Sequence, residues 1–237
     1  MKNSLQKIMN GLIDYAGLFP PAKLPLDQAI TEYISHFSDQ KKWMLGRFII
    51  PISQLNDLEK FIPKFDNIET LKLSVLGAQS TSNKEFLEQT KKEIHVINEY
   101  RKKHEGKVSI EVIETKLPSQ SPSKDVMAKI VKLLNSNNLE HYHEFPELPY
   151  VGINYATNED EGDWDDKITP TIEMISKLDD AGIKLRCGGI VKEAFPSVEQ
   201  VAAMIQNCSI YQVPLKFTAG LHHPIRHHSS EYSTEMH

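Results

Sequence analysis

Short apolar runs alternate along this chain with longer segments in which apolar residues recur at helical spacing. Apolar runs bounded by proline or glycine are typical of buried strands, whereas apolar residues at positions i, i+3 and i+4 are typical of helices. Ala29, Ile30, Tyr33, Ile34 and Phe37 follow the helical spacing. The pattern therefore predicts a helix over residues 26–37.

The same criteria predict that strands and helices alternate along most of the chain. Strands are predicted over residues 12–19, 43–50, 70–76, 108–113, 141–145, 183–187 and 214–219, with 150–155 as a further strand or an excursion. Helices are predicted over residues 26–37, 53–61, 83–104, 123–134, 169–181 and 197–208. Residues 158–167 are dense in acids and are predicted to form a solvated loop.

Several helix ends carry recognisable signals. The helix over residues 169–181 would place Pro170 in its first turn and Gly182 at its end, as helices commonly do. Ser197 with Gln200 forms a capping-box pattern at the start of the helix over residues 197–208.

Alternating strands and helices indicate parallel strands joined by helical crossovers, either in a closed (β/α) barrel or in an open doubly wound sheet. No Gly-x-Gly-x-x-Gly follows the first predicted strand, so a dinucleotide-binding sheet gains no support. About seven units at even spacing favour the barrel. We predict an α/β fold, a single TIM-like barrel domain over residues 1–237. Since no strand pattern follows Ile225, we expect its last β/α unit to be missing.

Composition narrows the classes of partner. The chain has 237 residues, a formal net charge of -5 and two cysteines. A weakly acidic chain has no general attraction to nucleic acid or to an anionic membrane. No run approaches the roughly 18 apolar residues that span a bilayer, and residues 1–10 lack the apolar core of a signal peptide. We therefore expect a cytoplasmic protein with buried free thiols, without a nucleic-acid or membrane partner. The sequence indicates no particular cofactor.

Polar residues interrupt the predicted strands, and these exceptions are informative because parallel strands are usually buried on both faces. Most lie near the C-terminal ends of strands, where barrel enzymes place their chemistry. They are Asp14, Arg47, Glu111, Glu114, His143, Glu144, Lys184, Arg186, Lys216 and Thr218. Any one of them could be a solvated or ion-paired structural residue. As a group they predict a polar site at a common rim.

One candidate anion site is the segment Lys184-Leu185-Arg186-Cys187-Gly188-Gly189. It combines a cationic strand end with two glycines, whose backbone N–H groups can approach an anion closely. The alternative is a tight turn that requires positive φ. We predict that Lys184, Arg186, Gly188 and Gly189 bind a carboxylate or phosphate.

The most distinctive segment is Lys216-Phe217-Thr218-Ala219-Gly220-Leu221-His222-His223-Pro224. A lysine inside an apolar strand loses hydration, which favours the neutral amine that attacks carbonyl groups. His222 or His223 could act as a general acid or base near neutral pH. The segment Asp14 to Ala22, with its two prolines, would form either a rigid loop on the active face or a structural turn.

The pieces Asp-Tyr-Ala-Gly-Leu-Phe-Pro-Pro-Ala (14–22) and Lys-x-Thr-Ala-Gly-Leu-His-His-Pro (216–224) resemble a family of bacterial and plant proteins. The resemblance implies a barrel with a further C-terminal region and implies no activity or catalytic residues. The Lys216-x-Thr218 strand is also loosely similar to the lysine strand of class I aldolases such as deoxyribose-phosphate aldolase.

Three functional hypotheses follow. The first is a lyase or aldolase-like enzyme for a small anionic carbonyl compound. In it Lys216 is the nucleophile or an electrophilic cation, and Glu114, Glu144 or His222 moves protons. Arg186 holds the anion. Asp14, Lys184 and Thr218 line the substrate site.

The second hypothesis is a metal-dependent hydrolase or lyase with ligands among Glu114, Glu144, His143 and His222 or His223. The third is a non-catalytic barrel with a binding role. A homo-oligomer is compatible with all three.

Overall fold

The computed structural model describes residues 4–66, 70–118, 124–144, 164–178, 181–188, 195–219, 227–230 and 234–236. The chain divides into two compact units. The first contains Met1–Ala78, Thr90–Glu114 and Asn137–Leu139. The second contains Gln79–Gln89, Thr115–Ser136 and Glu140–His237.

Helices and strands alternate through the described residues. The α-helices are α1 (Ser4–Met9), α2 (Leu26–His36), α3 (Leu55–Leu58), α4 (Asn83–Lys103), α5 (Lys124–Asn135), α6 (Trp164–Ile175) and α7 (Val198–Tyr211). The strands are β1 (Ile13–Tyr15), β2 (Leu45–Pro51), β3 (Leu71–Leu76), β4 (Val108–Lys116), β5 (Glu140–Glu144), β6 (Ala181–Arg186), β7 (Leu215–Thr218), β8 (His227–Ser229) and β9 (Thr234–Met236). Short 3-10 helices cover Lys42–Met44, Ile52–Gln54 and Glu59–Phe65.

The first unit is built on a parallel four-stranded sheet, in which β1, β2, β3 and β4 pair in chain order. One face of this sheet is apolar. Phe48 pairs with Leu73, and Ile50 with Val75, and all four are buried. The Tyr33 ring of α2 packs edge-on against Phe48 at 5.3 Å between ring centroids. Burying a side chain of this size contributes about 1.5–3 kcal/mol, so this face forms the core of the unit.

The other face of the same sheet carries the polar residues. Side chains alternate between faces along a strand. Arg47 therefore lies on the other face from Phe48, and Ser74 on the other face from Leu73. The pairing of β3 with β4 shifts by one residue after Leu73, and the extra residue on β4 is Glu111. Such bulges redirect side chains and often occur next to functional sites.

The second unit contains three further parallel strands, since β5 pairs with β6 and β6 with β7. Helix α5 buries Met127, Ile130, Val131 and Leu134. These residues are three or four positions apart, the spacing of the apolar face of an amphipathic helix. Helix α6 packs against α7, and the hydroxyl of Thr169 donates to Oδ1 of Asn207 at 3.0 Å.

The predicted mixed α/β fold with parallel strands is confirmed, whereas the closed barrel and the single domain stay predictions. The capping box at Ser197 is confirmed, because Ser197 accepts from Gln200 N and Gln200 accepts from Ser197 N. In the part of the chain that the structure describes, no helix is both long and apolar enough to cross a bilayer.

Three local predictions are wrong. Helix α6 begins at Trp164, inside the predicted acidic loop, so Pro170 lies within the helix and not in its first turn. Gly182 belongs to β6 and does not end a helix. Residues after Ile225 do form strands, as the short antiparallel pair β8 and β9.

Candidate functional site

A row of charged residues crosses the three parallel strands of the second unit. Glu144 on β5 pairs with Lys184 on β6, and Lys184 pairs with Lys216 on β7. Partners in a parallel register share a face of the sheet and lie about 4.8 Å apart between strands. Lys184 and Lys216 therefore lie side by side on neighbouring strands.

A second polar pair lies two residues further along the same strands, because Arg186 pairs with Thr218. Residues two apart on a strand project from the same face. This pair is therefore on the lysine face, one step nearer the C-terminal strand ends. The backbone also connects the two strands here, since Cys187 N donates to the carbonyl of Thr218 at 2.7 Å.

The two lysines differ in exposure. Lys184 is only 7% exposed, whereas Lys216 is half-buried. The face that they share with Arg186 is therefore cationic, with one amine almost enclosed and the other partly accessible.

The Arg186 guanidinium is oriented by the chain that follows its strand. Its Nε donates to the carbonyl oxygen of Gly188 at 2.9 Å. At Gly188 it is therefore the carbonyl that faces the guanidinium. Gly189, His222 and His223 lie outside the described residues, as do the side chains of His143 and Glu144.

In the first unit, Glu114 makes a buried polar contact at the end of β4. Glu114 is 3% exposed, and Ser74 is fully buried. The Ser74 hydroxyl donates to Oε1 of Glu114 at 2.5 Å, and Gly77 N donates to the backbone carbonyl of Glu114 at 2.9 Å. The Ser74 side chain on β3 and the backbone of Gly77 after this strand thus hold Glu114 in place.

Asp14 is held at the junction of β1 and β2. Its Oδ1 accepts from Arg47 N at 2.7 Å. A Cβ at position 46 would clash with this oxygen and would also lie 2.9 Å from the backbone carbonyl oxygen of Gly11, so only glycine fits there without a backbone shift. The Tyr33 hydroxyl donates to the carbonyl of Gly46 at 2.9 Å. Burial, followed by the negative charge of Asp14, raises the pKa of Tyr33.

Arg47 also reaches across the polar face of the sheet to β4. Its Nη2 lies 3.2 Å from Oε2 of Glu111, and both side chains are partly exposed. The Ser109 hydroxyl donates to the other oxygen of Glu111 at 3.0 Å. Asp14, Arg47 and Glu111 therefore form a connected polar network, and Asp14 acts in it as a backbone anchor.

Glu93 of α4 is a buried carboxylate that the sequence analysis missed. It is 3% exposed, and its Oε1 accepts from Ala78 N at 2.6 Å, just after β3. A Cβ on Gly77 would lie 2.7 Å from its Oε2. The sequence did carry a signal that Glu93 is buried, because this residue falls on the apolar stripe of α4 together with Phe86 and Ile97.

Ser74 was missed as well, although it interrupts the apolar run Leu73 to Leu76. Arg47 and Glu111 were recognised as exceptions on strands, but their pairing depends on the bulge at Glu111. A bulge cannot be read from residue types, since it changes which face a side chain occupies.

The two cysteines, Cys187 and Cys208, are buried and free. Burial raises the pKa of Cys187 to about 12 and that of Cys208 to about 11. Since the thiolate is the reactive form, neither serves as a nucleophile at neutral pH. The prediction of buried free thiols is confirmed.

Among the described residues, no group of three or more His, Cys, Asp or Glu side chains is arranged to hold a metal ion. The metal hypothesis names Glu114, Glu144, His143 and His222 or His223, and of these only the side chain of Glu114 lies in that part of the chain. It therefore stays a hypothesis.

Fold and site together define a mixed α/β protein with parallel strands and a lysine–arginine cluster on one sheet face. Comparison with models of protein families, with curated proteins and with solved structures finds no match to this chain.

Proposed function

We propose that the second unit carries the active site of a lyase or aldolase-like enzyme, which acts on a small anionic carbonyl compound. The observation that carries this proposal is the pairing of Lys184 with Lys216 on one face of the sheet. The two lysines share this face with Arg186, and a cationic face suits an anionic substrate. A lysine amine can attack a carbonyl carbon to form a Schiff base. These two properties together support the proposed chemistry.

We assign the nucleophile to Lys216 and the supporting cation to Lys184. Lys216 is half-buried and therefore partly accessible, whereas Lys184 is almost entirely enclosed. Attack by the Lys216 amine on the carbonyl carbon gives a carbinolamine, and loss of water gives the imine. The imine then accepts the electron pair of a neighbouring carbon–carbon or carbon–hydrogen bond as that bond breaks.

We assign substrate binding to Arg186 and Thr218, and proton transfer to Glu144. Arg186 and Thr218 form the next pair on the lysine face. Glu144 occupies the same register row as the two lysines. Glu114, the other candidate for proton transfer, lies in the first unit and is hydrogen-bonded to Ser74.

Borohydride trapping tests the proposal. The chain is incubated with a set of small carbonyl acids and sodium borohydride, and the modified peptide is identified by mass spectrometry. Reduction of the imine leaves an adduct heavier than the free lysine by the carbonyl compound less one oxygen atom. We expect this adduct on Lys216 and its loss in Lys216→Met.

Lys177 provides a matched control in the same unit. It is exposed and ion-paired with Glu173 at 2.5 Å, so Lys177→Met should leave trapping unchanged. Equal labelling of Lys177 and Lys216, or no adduct with any carbonyl acid, would contradict a Schiff-base enzyme.

A further inference from the structure

An apolar patch is exposed to solvent at the start of the first unit. It consists of Leu5 and Ile8 on α1 and of Leu12 and Ile13 after this helix, all 49–69% exposed. Leu5 and Ile8 are three positions apart and so lie on one side of α1. Among the described residues, these four are half of the large apolar side chains that are exposed. We call them the N-terminal apolar patch.

Helix α1 is short and contributes nothing to the buried core. It has six residues, and none of them is buried. Isolated helices shorter than about 12–15 residues are marginal in water, because most helical stability in proteins comes from the packing of an apolar face. On α1 the apolar residues Leu5 and Ile8 face solvent. A surface that covers them would therefore stabilise the helix.

The charge pattern around the patch fits a second copy of this chain better than a charged partner. Residues 1–13 contain two lysines and no acidic residue. Lys7 is two positions from Leu5 and one from Ile8, so it projects from a different side of α1. A charged protein partner is matched by charges across the interface, and a helix that lies on a membrane is rich in lysine and arginine. An uncharged apolar patch is complementary to itself, as a two-fold interface requires.

The area of the patch is close to what a stable dimer needs. Four leucine and isoleucine side chains at these exposures present roughly 300–500 Å² of apolar surface. A standard interface buries about 800 Å² on each partner, and about 56–65% of this area is apolar. The patch would therefore supply most of the apolar part of such an interface, with the surrounding polar residues as its rim.

We propose that the N-terminal apolar patch is the interface of a homodimer, in which a second copy of this chain covers it. Two copies related by a two-fold axis bring the same patch together from both sides. Leu5 and Ile8 of each copy then lose contact with water, and α1 gains the packing that stabilises it. This inference does not depend on the proposed function.

Sedimentation velocity over loading concentrations of about 1–100 μM tests the proposal. We expect a species of about 54 kDa, which is twice the 27.0 kDa of the chain. Ile8→Glu places a charge in both halves of the interface, so it should raise the dissociation constant of the dimer at least about tenfold. A wild-type chain that remains at the mass of one copy over the whole range would overturn the proposal.

Ile210 provides a matched control on α7. It is 65% exposed, close to the 69% of Ile8, and it lies outside the patch. Ile210→Glu should leave the dissociation constant unchanged. A dimer that Ile8→Glu does not weaken, or that Ile210→Glu weakens as strongly, would show that the copies associate through another surface.

Hydrogen exchange on the wild-type chain locates the interface without any substitution. The backbone amides of residues 4–13 should exchange slowly at high concentration and lose this protection on dilution, because α1 is packed only in the dimer. Protection in α7 should not depend on concentration. Protection of residues 4–13 that stays constant while the dimer dissociates would exclude the patch as the interface.

Discussion

Replacing Gly77 by alanine should displace the buried carboxylate of Glu93. The three atoms nearest to a Cβ at position 77 all belong to this carboxyl group, with Oε2 at 2.7 Å, Cδ at 3.2 Å and Oε1 at 3.3 Å. The shortest of these contacts is closer than atoms in proteins normally come, so Glu93 must move. The movement breaks its hydrogen bond from Ala78 N, which is 2.6 Å long.

The expected cost follows from that lost bond. A hydrogen bond to a charged group contributes about 1.5–3 kcal/mol, and the acceptor here is the buried carboxylate of Glu93. Gly77→Ala should therefore lower the free energy of unfolding by about 1.5–3 kcal/mol, measured by urea unfolding. In thermal unfolding the same change lowers Tm by about 2–4 °C per kcal/mol for a chain of this size.

A double-mutant cycle separates this contact from any general effect at position 77. In a Glu93→Ala background, Gly77→Ala should cost less than about 0.5 kcal/mol, because the contact is absent. In Glu93→Gln, which keeps the size of the side chain, the cost should return. Gly106→Ala is the matched control, since nothing lies within 4 Å of its Cβ position and its φ is +77. Its cost should be independent of Glu93.

The reasoning is refuted if Gly77→Ala costs the same in the wild-type and Glu93→Ala backgrounds. That result would mean that the glycine is required by the backbone and not by the carboxylate. A cost near zero in both backgrounds would mean that Glu93 can move without losing a stabilising interaction.

Two further predictions concern the first unit. Ser74→Ala removes the hydroxyl that donates to Glu114 at 2.5 Å and should destabilise the chain by about 1.5–3 kcal/mol, with a smaller cost in a Glu114→Gln background, as urea unfolding would show. Burial, with the charge of Glu32 next, raises the pKa of Tyr15 to about 12. Its contribution to stability should be complete below about pH 10 and lost as the pH rises towards 12. Tyr15→Phe should therefore lose less stability than the wild type over this interval, and equal losses would contradict the assignment.

The sequence predicted the elements of the fold better than their exact ends. The helix of α2 and the strand of β2 follow directly from apolar periodicity, since burial and periodicity have the same cause. The start of α6 was predicted wrongly, because proline lacks an N–H and Pro170 was therefore expected in the first helical turn. Here it lies inside α6, where the sequence alone gives no warning.

Within each unit, the sequence identified the polar residues on the predicted strands, but it did not show which of them lie opposite each other on neighbouring strands. Alternation along a strand places Lys184 with Arg186, and Lys216 with Thr218, on one face of each strand. Only the register shows that Lys184 is opposite Lys216 and that Arg186 is opposite Thr218. A shift of one residue between the same two strands would separate all four. The cross-strand pairs that support the proposed chemistry are thus a property of three-dimensional pairing.

The two polar clusters differ in a way that separates structural from functional use of charge. In the first unit, each of the buried acids Glu93 and Glu114 accepts a hydrogen bond from a neutral donor, which offsets the cost of burial. In the second unit, Lys184 and Lys216 lie opposite each other on neighbouring strands, and Lys184 is buried. The hydrogen bonds of the two acids give them a structural role that needs no ligand. The face on which Lys184, Lys216 and Arg186 gather is cationic, which is the property that the proposed anionic substrate requires.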